Sequence, residues 1–307
     1  MDNKWFEMER NNNTVEQYVT NMNEGFFYTA SDGCNLFIYD YKPAAHYEVS
    51  IFIISGITGI NHHNEKDIIE QLSNKQNRVV VIHPRGTGYS EGIRGDISNI
   101  NLLIMDYVVL IKNDEDYVSR QQPVYLFGHS MSCAVLLAVA DELKNINGAI
   151  LINPPYIQKK AKGMSPVISQ YLKYAFYMLF AKHKPIVNMA GIPSLIENEE
   201  DRTESELRQK DTLLVKYFSM YFMNEVRKLI HSMLNYSKKA NYPLLLIYGM
   251  KDSIVDKAGC DLIYQYWKSQ NKTYKTIDDG RHGKSTVIKA GAIIAEWVKR
   301  KRSEVQC

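Results

Sequence analysis

Ser130 stands at the centre of Gly128-His129-Ser130-Met131-Ser132, behind the apolar run 124–127 and ahead of an Ala-, Val- and Leu-rich stretch that ends at Leu143. A serine hydroxyl is a poor nucleophile until a base takes its proton and donors stabilise the oxyanion. A strand-to-helix turn of the form G-x-S-x-G serves both needs. It exposes the hydroxyl on a strained turn and starts a helix whose first N–H groups face the oxyanion. Ser130 is therefore the candidate nucleophile, and the Met131 N–H is a candidate oxyanion donor. The last position is Ser132 in place of glycine, a small residue that still lets helix and strand pack closely.

An acid and then a histidine are expected further along the chain, each at the carboxyl end of a strand. The apolar run 244–248 leads into Gly249-Met250-Lys251-Asp252, and the run 274–277 leads into Asp278-Asp279-Gly280-Arg281-His282. His282 is the candidate base. Asp252 is the candidate acid because it lies closest to its strand end. Asp278 and Asp279 are loop carboxylates that could compete for that role, and Asp256 is placed to cap the next helix. His129 neighbours the serine but is expected to point elsewhere on so tight a turn. The second oxyanion donor is expected from Ser55-Gly56-Ile57-Thr58-Gly59, where Gly56 permits an unusual backbone angle and Ile57 supplies the N–H. No Gly-Lys-Ser/Thr follows this turn, which argues against a phosphate loop. Cys133 reads as a small packing residue on the following helix and not as a second nucleophile. His62 and His63 could line the entrance, but no third ligand stands at metal-binding spacing.

These groups need a scaffold that gathers strand ends. Residues 26–30 and 36–41, with Ser31-Asp32-Gly33 between them, predict an antiparallel hairpin. Residues 49–54 form a β-branched run, and 78–82 (through Val79-Val80-Val81-Ile82), 124–127 and 149–152 form apolar runs, as expected of parallel strands buried on both faces. Helical patterns over 65–72, 97–111 and 130–143 separate them and imply right-handed crossovers. From 154 to 241 only helical patterns occur, over 167–180, 204–222 and 224–234. Strand-helix order then resumes with 244–248, 257–269, 274–277 and 286–299. The sequence thus predicts an α/β fold whose core comprises 1–153 and 242–307, with 154–241 inserted as a helical cap.

The order of Ser55-Gly56-Ile57-Thr58-Gly59, Arg85-Gly86-Thr87-Gly88-Tyr89-Ser90-Glu91-Gly92, the Ser130 turn, Gly249-Met250-Lys251-Asp252 and Gly280-Arg281-His282 resembles the monoglyceride lipase and lysophospholipase branch of the α/β-hydrolases, often grouped with serine aminopeptidases. The resemblance runs from about Gly25 to the final helix, with the cap matching only loosely. It implies an α/β-hydrolase fold: a mostly parallel central sheet flanked by helices, with an inserted helical cap. It also implies a serine hydrolase acting on carboxylic esters of acyl chains, such as monoacylglycerols, lysophospholipids or acyl thioesters. Two positions depart from the family pattern. Ser55-Gly56 stands where His-Gly is usual, and Ser132 stands where Gly is usual. Both touch the oxyanion loop or the elbow, and neither removes a member of the Ser130, His282, Asp252 set.

This chemistry requires no metal and no organic cofactor. The same residues would also serve an acyltransferase, a thioesterase or an aminopeptidase, the last using an acidic patch such as Glu197, Glu199, Glu200 and Asp201. A ligand sensor that keeps the fold without catalysis is the remaining alternative. The 307 residues carry a formal net charge of +3, which excludes a nucleic-acid polycation. The run Lys299-Arg300-Lys301-Arg302 reads as a solvated helix end. Cys34, Cys133, Cys260 and Cys307 form no CxxC pair, and reduced thiols fit a cytoplasmic protein. No apolar signal core opens the chain and no window approaches the roughly 18 apolar residues of a spanning helix, so a soluble, unexported protein is expected. The aromatic stretch 167–180 reads first as cap packing. It could also form a greasy substrate entrance or a peripheral contact with a membrane surface.

Overall fold

The computed structural model describes residues 25–43, 46–55, 66–73, 77–159, 176–188, 206 and 210–306. The hairpin forms as expected: β1 (Gly25–Thr29) pairs antiparallel with β2 (Asn35–Tyr41), placing Phe27 opposite Phe37. Asp32 accepts the Cys34 N–H, and Gly33 takes a φ of 83° to close the turn.

The apolar runs become β3 (Val49–Ile53), β4 (Asn77–Ile82), β5 (Val124–His129), β6 (Gly148–Ile152) and β9 (Leu244–Gly249), and a mixed polar segment further along becomes the partly buried β10 (Lys272–Ile277). Eight strands form one sheet in the order β1-β2-β4-β3-β5-β6-β9-β10. β2 runs antiparallel to β4, and every pair from β4 to β10 is parallel. This is the mostly parallel sheet of an α/β-hydrolase.

Alternation along each strand sorts its side chains to two sides. Ile51, Val79, Phe127, Ile150 and Ile247 pack with α1 (Lys66–Ser73) and α7 (Lys284–Gln306). Phe52, Val80, Leu126, Leu151 and Leu246 pack with α2 (Ile100–Lys112), α4 (Ser132–Leu143), α5 (Met220–Ser237) and α6 (Lys257–Tyr266). The short α3 (Glu115–Ser119) leads into β5. Burial on both faces is why these strands read as solid apolar runs.

The stretch 154–241 departs from the purely helical expectation. β7 (Pro185–Asn188) pairs antiparallel with β8 (Tyr217–Ser219), so the helix expected over 204–222 does not extend to its end. Ser219 explains the break. Its hydroxyl accepts the Phe222 N–H at 3.0 Å and caps α5, and its own N–H donates to the Gly95 carbonyl at 2.7 Å. An extended backbone is needed to make both bonds, and the fully buried Phe218 favours the same state. Arg94 fastens the same segment by donating to the carbonyls of Thr212 and Leu213, each at 2.9 Å. The basic run near the C-terminus is also less solvated than expected: Lys301 pairs with Glu304, and Arg302 pairs with Glu48.

Candidate active site

Ser130 occupies the turn between β5 and α4 with a φ of 55°. A non-glycine residue in the left-handed region carries strain that its surroundings must hold. Two devices hold it here. The Ser130 N–H donates across the sheet to the Ile152 carbonyl at 2.9 Å. Ser132 bridges the turn, its hydroxyl accepting the His129 N–H at 2.8 Å and donating to the His129 carbonyl at 2.7 Å. The serine that replaces the usual glycine is thus a brace for the elbow. Gly128 is confined in the same way, since a Cβ there would meet Leu136 at 3.1 Å and the Cys133 nitrogen at 3.3 Å.

His282 lies on the loop between β10 and α7, and its Nε2 sits 2.9 Å from the Ser130 hydroxyl. Its Nδ1 sits 2.8 Å from Asp252 Oδ2. An ionised carboxylate can only accept, so Nδ1 carries the proton and Nε2 presents its lone pair to the serine O–H. Asp252 is fully buried. Burial opposes its charge, but the His282 bond and the N–H groups of Val255 and Ile254, each 2.8 Å from Oδ1, outweigh it and hold the carboxyl below its ordinary value. The three side chains therefore form an unbroken hydrogen-bonded chain from three separate strand ends.

Of the two carboxylates that could compete with Asp252, Asp279 is engaged elsewhere. Asp279 is exposed and pairs with Lys289 of α7. Asp256 caps α6 by accepting the Ala258 N–H at 2.9 Å, as its position suggested. His129 does not point away: its ring centroid lies 5.3 Å from that of His282. Cys133 is buried with its thiol directed at the Gly128 and Ile152 carbonyls, and burial pushes that thiol well above its ordinary range. A thiolate nucleophile is not available there.

Met131 opens α4 in helical geometry, immediately after Ser130. Ile57 and Gly56 lie outside the described residues, as do His62, His63 and the acidic stretch 197–201. The glycine-rich segment 85–92 braces the scaffold: the Ser90 hydroxyl accepts the Phe37 N–H and donates to the His83 carbonyl, and Arg85 pairs with Asp32 and Asp106. Sequence reasoning missed two residues that touch the acid and histidine loops. Lys159 donates from Nζ to the Asp252 carbonyl at 2.5 Å. Asn153, at the end of β6, joins β9 to the histidine loop.

A family model described as serine aminopeptidase, S33, matches residues 47–284. The monoglyceride lipase of Rattus norvegicus is 27% identical over 260 residues, which span 82% of this chain and 81% of that protein. Among solved structures, a soluble variant of monoglyceride lipase from Saccharomyces cerevisiae, in complex with a substrate analogue, has a TM-score of 0.76 at 16% identity. That match covers 91% of this chain and 94% of that one. The monoacylglycerol lipase of Paleococcus ferrophilus has a TM-score of 0.66 at 18% identity, covering 87% of this chain and 99% of that one.

Proposed function

The chain belongs to the serine aminopeptidase S33 family, and from that membership we propose that it is a serine hydrolase cleaving carboxylic esters of acyl chains, with monoacylglycerols and lysophospholipids as its substrate class. The observation that carries this reading is the continuous chain from the Ser130 hydroxyl through His282 to Asp252, at 2.9 and 2.8 Å. The likeness to monoglyceride lipases supports the substrate class.

In the proposed reaction His282 Nε2 takes the hydroxyl proton as Ser130 attacks the ester carbonyl. Asp252 holds the imidazole in the tautomer that can accept it and stabilises the imidazolium that forms. The Met131 N–H, together with that of Ile57, binds the oxyanion. The imidazolium returns its proton to the leaving alcohol, and a water activated by the same histidine then cleaves the acyl-enzyme. No cofactor enters these steps. The insertion over 154–241 acts as the cap over the acyl site. Phe176, Leu179 and Phe180 are 57%, 76% and 75% exposed, and these three side chains favour a greasy entrance or peripheral lipid contact. Among the described residues no helix is long and apolar enough to cross a membrane.

The test is labelling with a fluorophosphonate probe beside hydrolysis of a short-chain nitrophenyl ester and of monoacylglycerols. Wild-type protein is expected to label and turn over. Ser130→Ala is expected to lose labelling and about 10⁴-fold or more in kcat. Full activity in that variant would refute the assignment.

A further inference from the structure

We propose that Asn153 is a positioning residue for this reaction, its buried side-chain amide fixing the distance between the acid-bearing end of β9 and the loop that carries His282. The proposal rests on the Ser130–His282–Asp252 reading given above.

Asn153 directly follows β6, the strand that lies between β5 and β9 in the sheet. β5 ends at the nucleophile turn and β9 ends at the acid loop, so the end of β6 lies between two of the three loops. The backbone uses that position fully. The Ile152 carbonyl accepts the Ser130 N–H at 2.9 Å, and the Asn153 N–H donates to the Ile247 carbonyl at 3.0 Å. The side chain reaches further. Oδ1 accepts the Gly249 N–H at 2.9 Å, at the end of β9, and Nδ2 donates to the Arg281 carbonyl at 3.3 Å. Arg281 directly precedes His282. One amide therefore spans from the acid strand to the peptide that carries the catalytic imidazole.

Three features mark this as a selected arrangement. First, Asn153 is fully buried, where an amide without partners would be costly. Second, its φ is 46°, a left-handed backbone that asparagine tolerates better than most residues. Third, the task needs an acceptor for one N–H and a donor for one carbonyl on a short stem. Alanine and glycine offer neither, and an ionised aspartate offers no donor. The partners also settle which way the amide faces, because Gly249 can only donate its N–H and the Arg281 carbonyl can only accept.

The Lys251 N–H and the Thr286 hydroxyl also bond this loop, at the Gly280 and Arg281 carbonyls. Loss of the clamp therefore loosens the histidine loop against the acid strand without detaching it, and displacements of about 1 Å at a reacting group cost on the order of 100-fold in rate. Asn153→Gly separates side chain from backbone, since glycine accepts the left-handed φ without strain. Turnover is measured per active site, titrated with a fluorophosphonate, alongside the pH profile and the thermal midpoint. The expected result is a fall in kcat of about 10- to 100-fold with KM within about twofold, and a displaced acid limb of the kcat/KM profile. Asn153→Asp, which keeps the shape and the Gly249 bond but loses the donor to Arg281, is expected to lose kcat in the same way and decides the matter if the glycine variant does not fold. A kcat per titrated site within twofold of wild type, whatever the thermal midpoint, would overturn the proposal. Ser130→Ala serves as the control: if it stays active, the triad reading fails. If it is inactive while both Asn153 variants turn over normally, only the positioning role fails.

Discussion

A carboxylate as deeply buried as Asp252 ionises only where its partners meet the charge, and the His282 imidazole with two backbone N–H groups does so. Replacing it by asparagine keeps the shape but removes the acceptor that fixes the histidine tautomer. Asp252→Asn is expected to lose about 10³- to 10⁴-fold in kcat with KM little changed, read by steady-state kinetics on a nitrophenyl ester. The same carboxyl links stability to pH. Its folded value lies below the ordinary 3.8, so its contribution is present above the unfolded value and is lost as pH falls through the folded one. Wild type is expected to be the more stable of the two at pH 7, and that advantage should shrink below about pH 4. Urea midpoints at pH 7, 5 and 3 measure the gap, and a constant gap would contradict the account. Asp252 and His282 were legible in the sequence because each lies in the loop at a strand's carboxyl end, Asp252 after the apolar run 244–248 and His282 after the strand pattern 274–277. Asn153 was not, because its two bonds exist only once β9 lies beside β6, and their partners lie 96 and 128 residues along the chain. The ring contact between His129 and His282 was hidden for the same reason.

Two loops meet at a pair of glycines, Gly249 at the end of β9 and Gly280 in the loop after β10. A Cβ on Gly249 would lie 2.7 Å from both the Gly280 carbonyl oxygen and the Thr286 hydroxyl. Beside this contact the Lys251 N–H donates to that same carbonyl at 2.8 Å, so the acid loop and the histidine loop share a seam with no room for a side chain. Gly249→Ala is expected to cost about 1–3 kcal/mol by overpacking and to widen the gap between Asp252 and His282. A lowered thermal midpoint together with reduced kcat checks it, and an unchanged midpoint would mean that the seam yields freely. The strands were legible because burial on both faces leaves unbroken apolar runs that few helices of that length show. β7 and β8 were not, because strands of four and three residues leave too little pattern. Tyr217 and Phe218 fit a helical stripe equally well. The pairing with β7 and the bond from Ser219 to Gly95, both long-range contacts, select the extended state.

Across the whole molecule, the site gathers at the carboxyl ends of the parallel strands, while the opposite edge of the sheet is closed by one buried cation. Arg78 at the start of β4 donates all five of its N–H groups, two to Asp40, two to Asp114 and one to Asp116, at 2.7 to 2.9 Å. Asp40 lies on β2, and Asp114 and Asp116 lie around α3, so this one guanidinium ties the hairpin, the central strands and the connection into β5. Such a cluster is weak evidence for net stability, yet removing one partner leaves buried charge without compensation. Arg78→Met leaves three carboxylates around an apolar side chain and is expected to destabilise the fold by about 3–5 kcal/mol. Arg78→Lys is expected to recover only part of that, because an ammonium has three donors where five are used and lacks the planar fork that meets carboxylates two bonds at a time. The hydrogen-bonded chain of Ser130, His282 and Asp252 lies at the other end of the strands and shares no hydrogen bond with this cluster among the described residues. Turnover per titrated active site is therefore expected to stay within about twofold of wild type in both variants at temperatures where they remain folded, since sites without shared partners act nearly independently. Denaturant midpoints beside active-site titration separate the two effects. A loss of turnover per site as large as that of Asn153→Gly would mean that the two ends of the sheet are mechanically coupled and that positioning of the triad is not local to β6, β9 and the histidine loop.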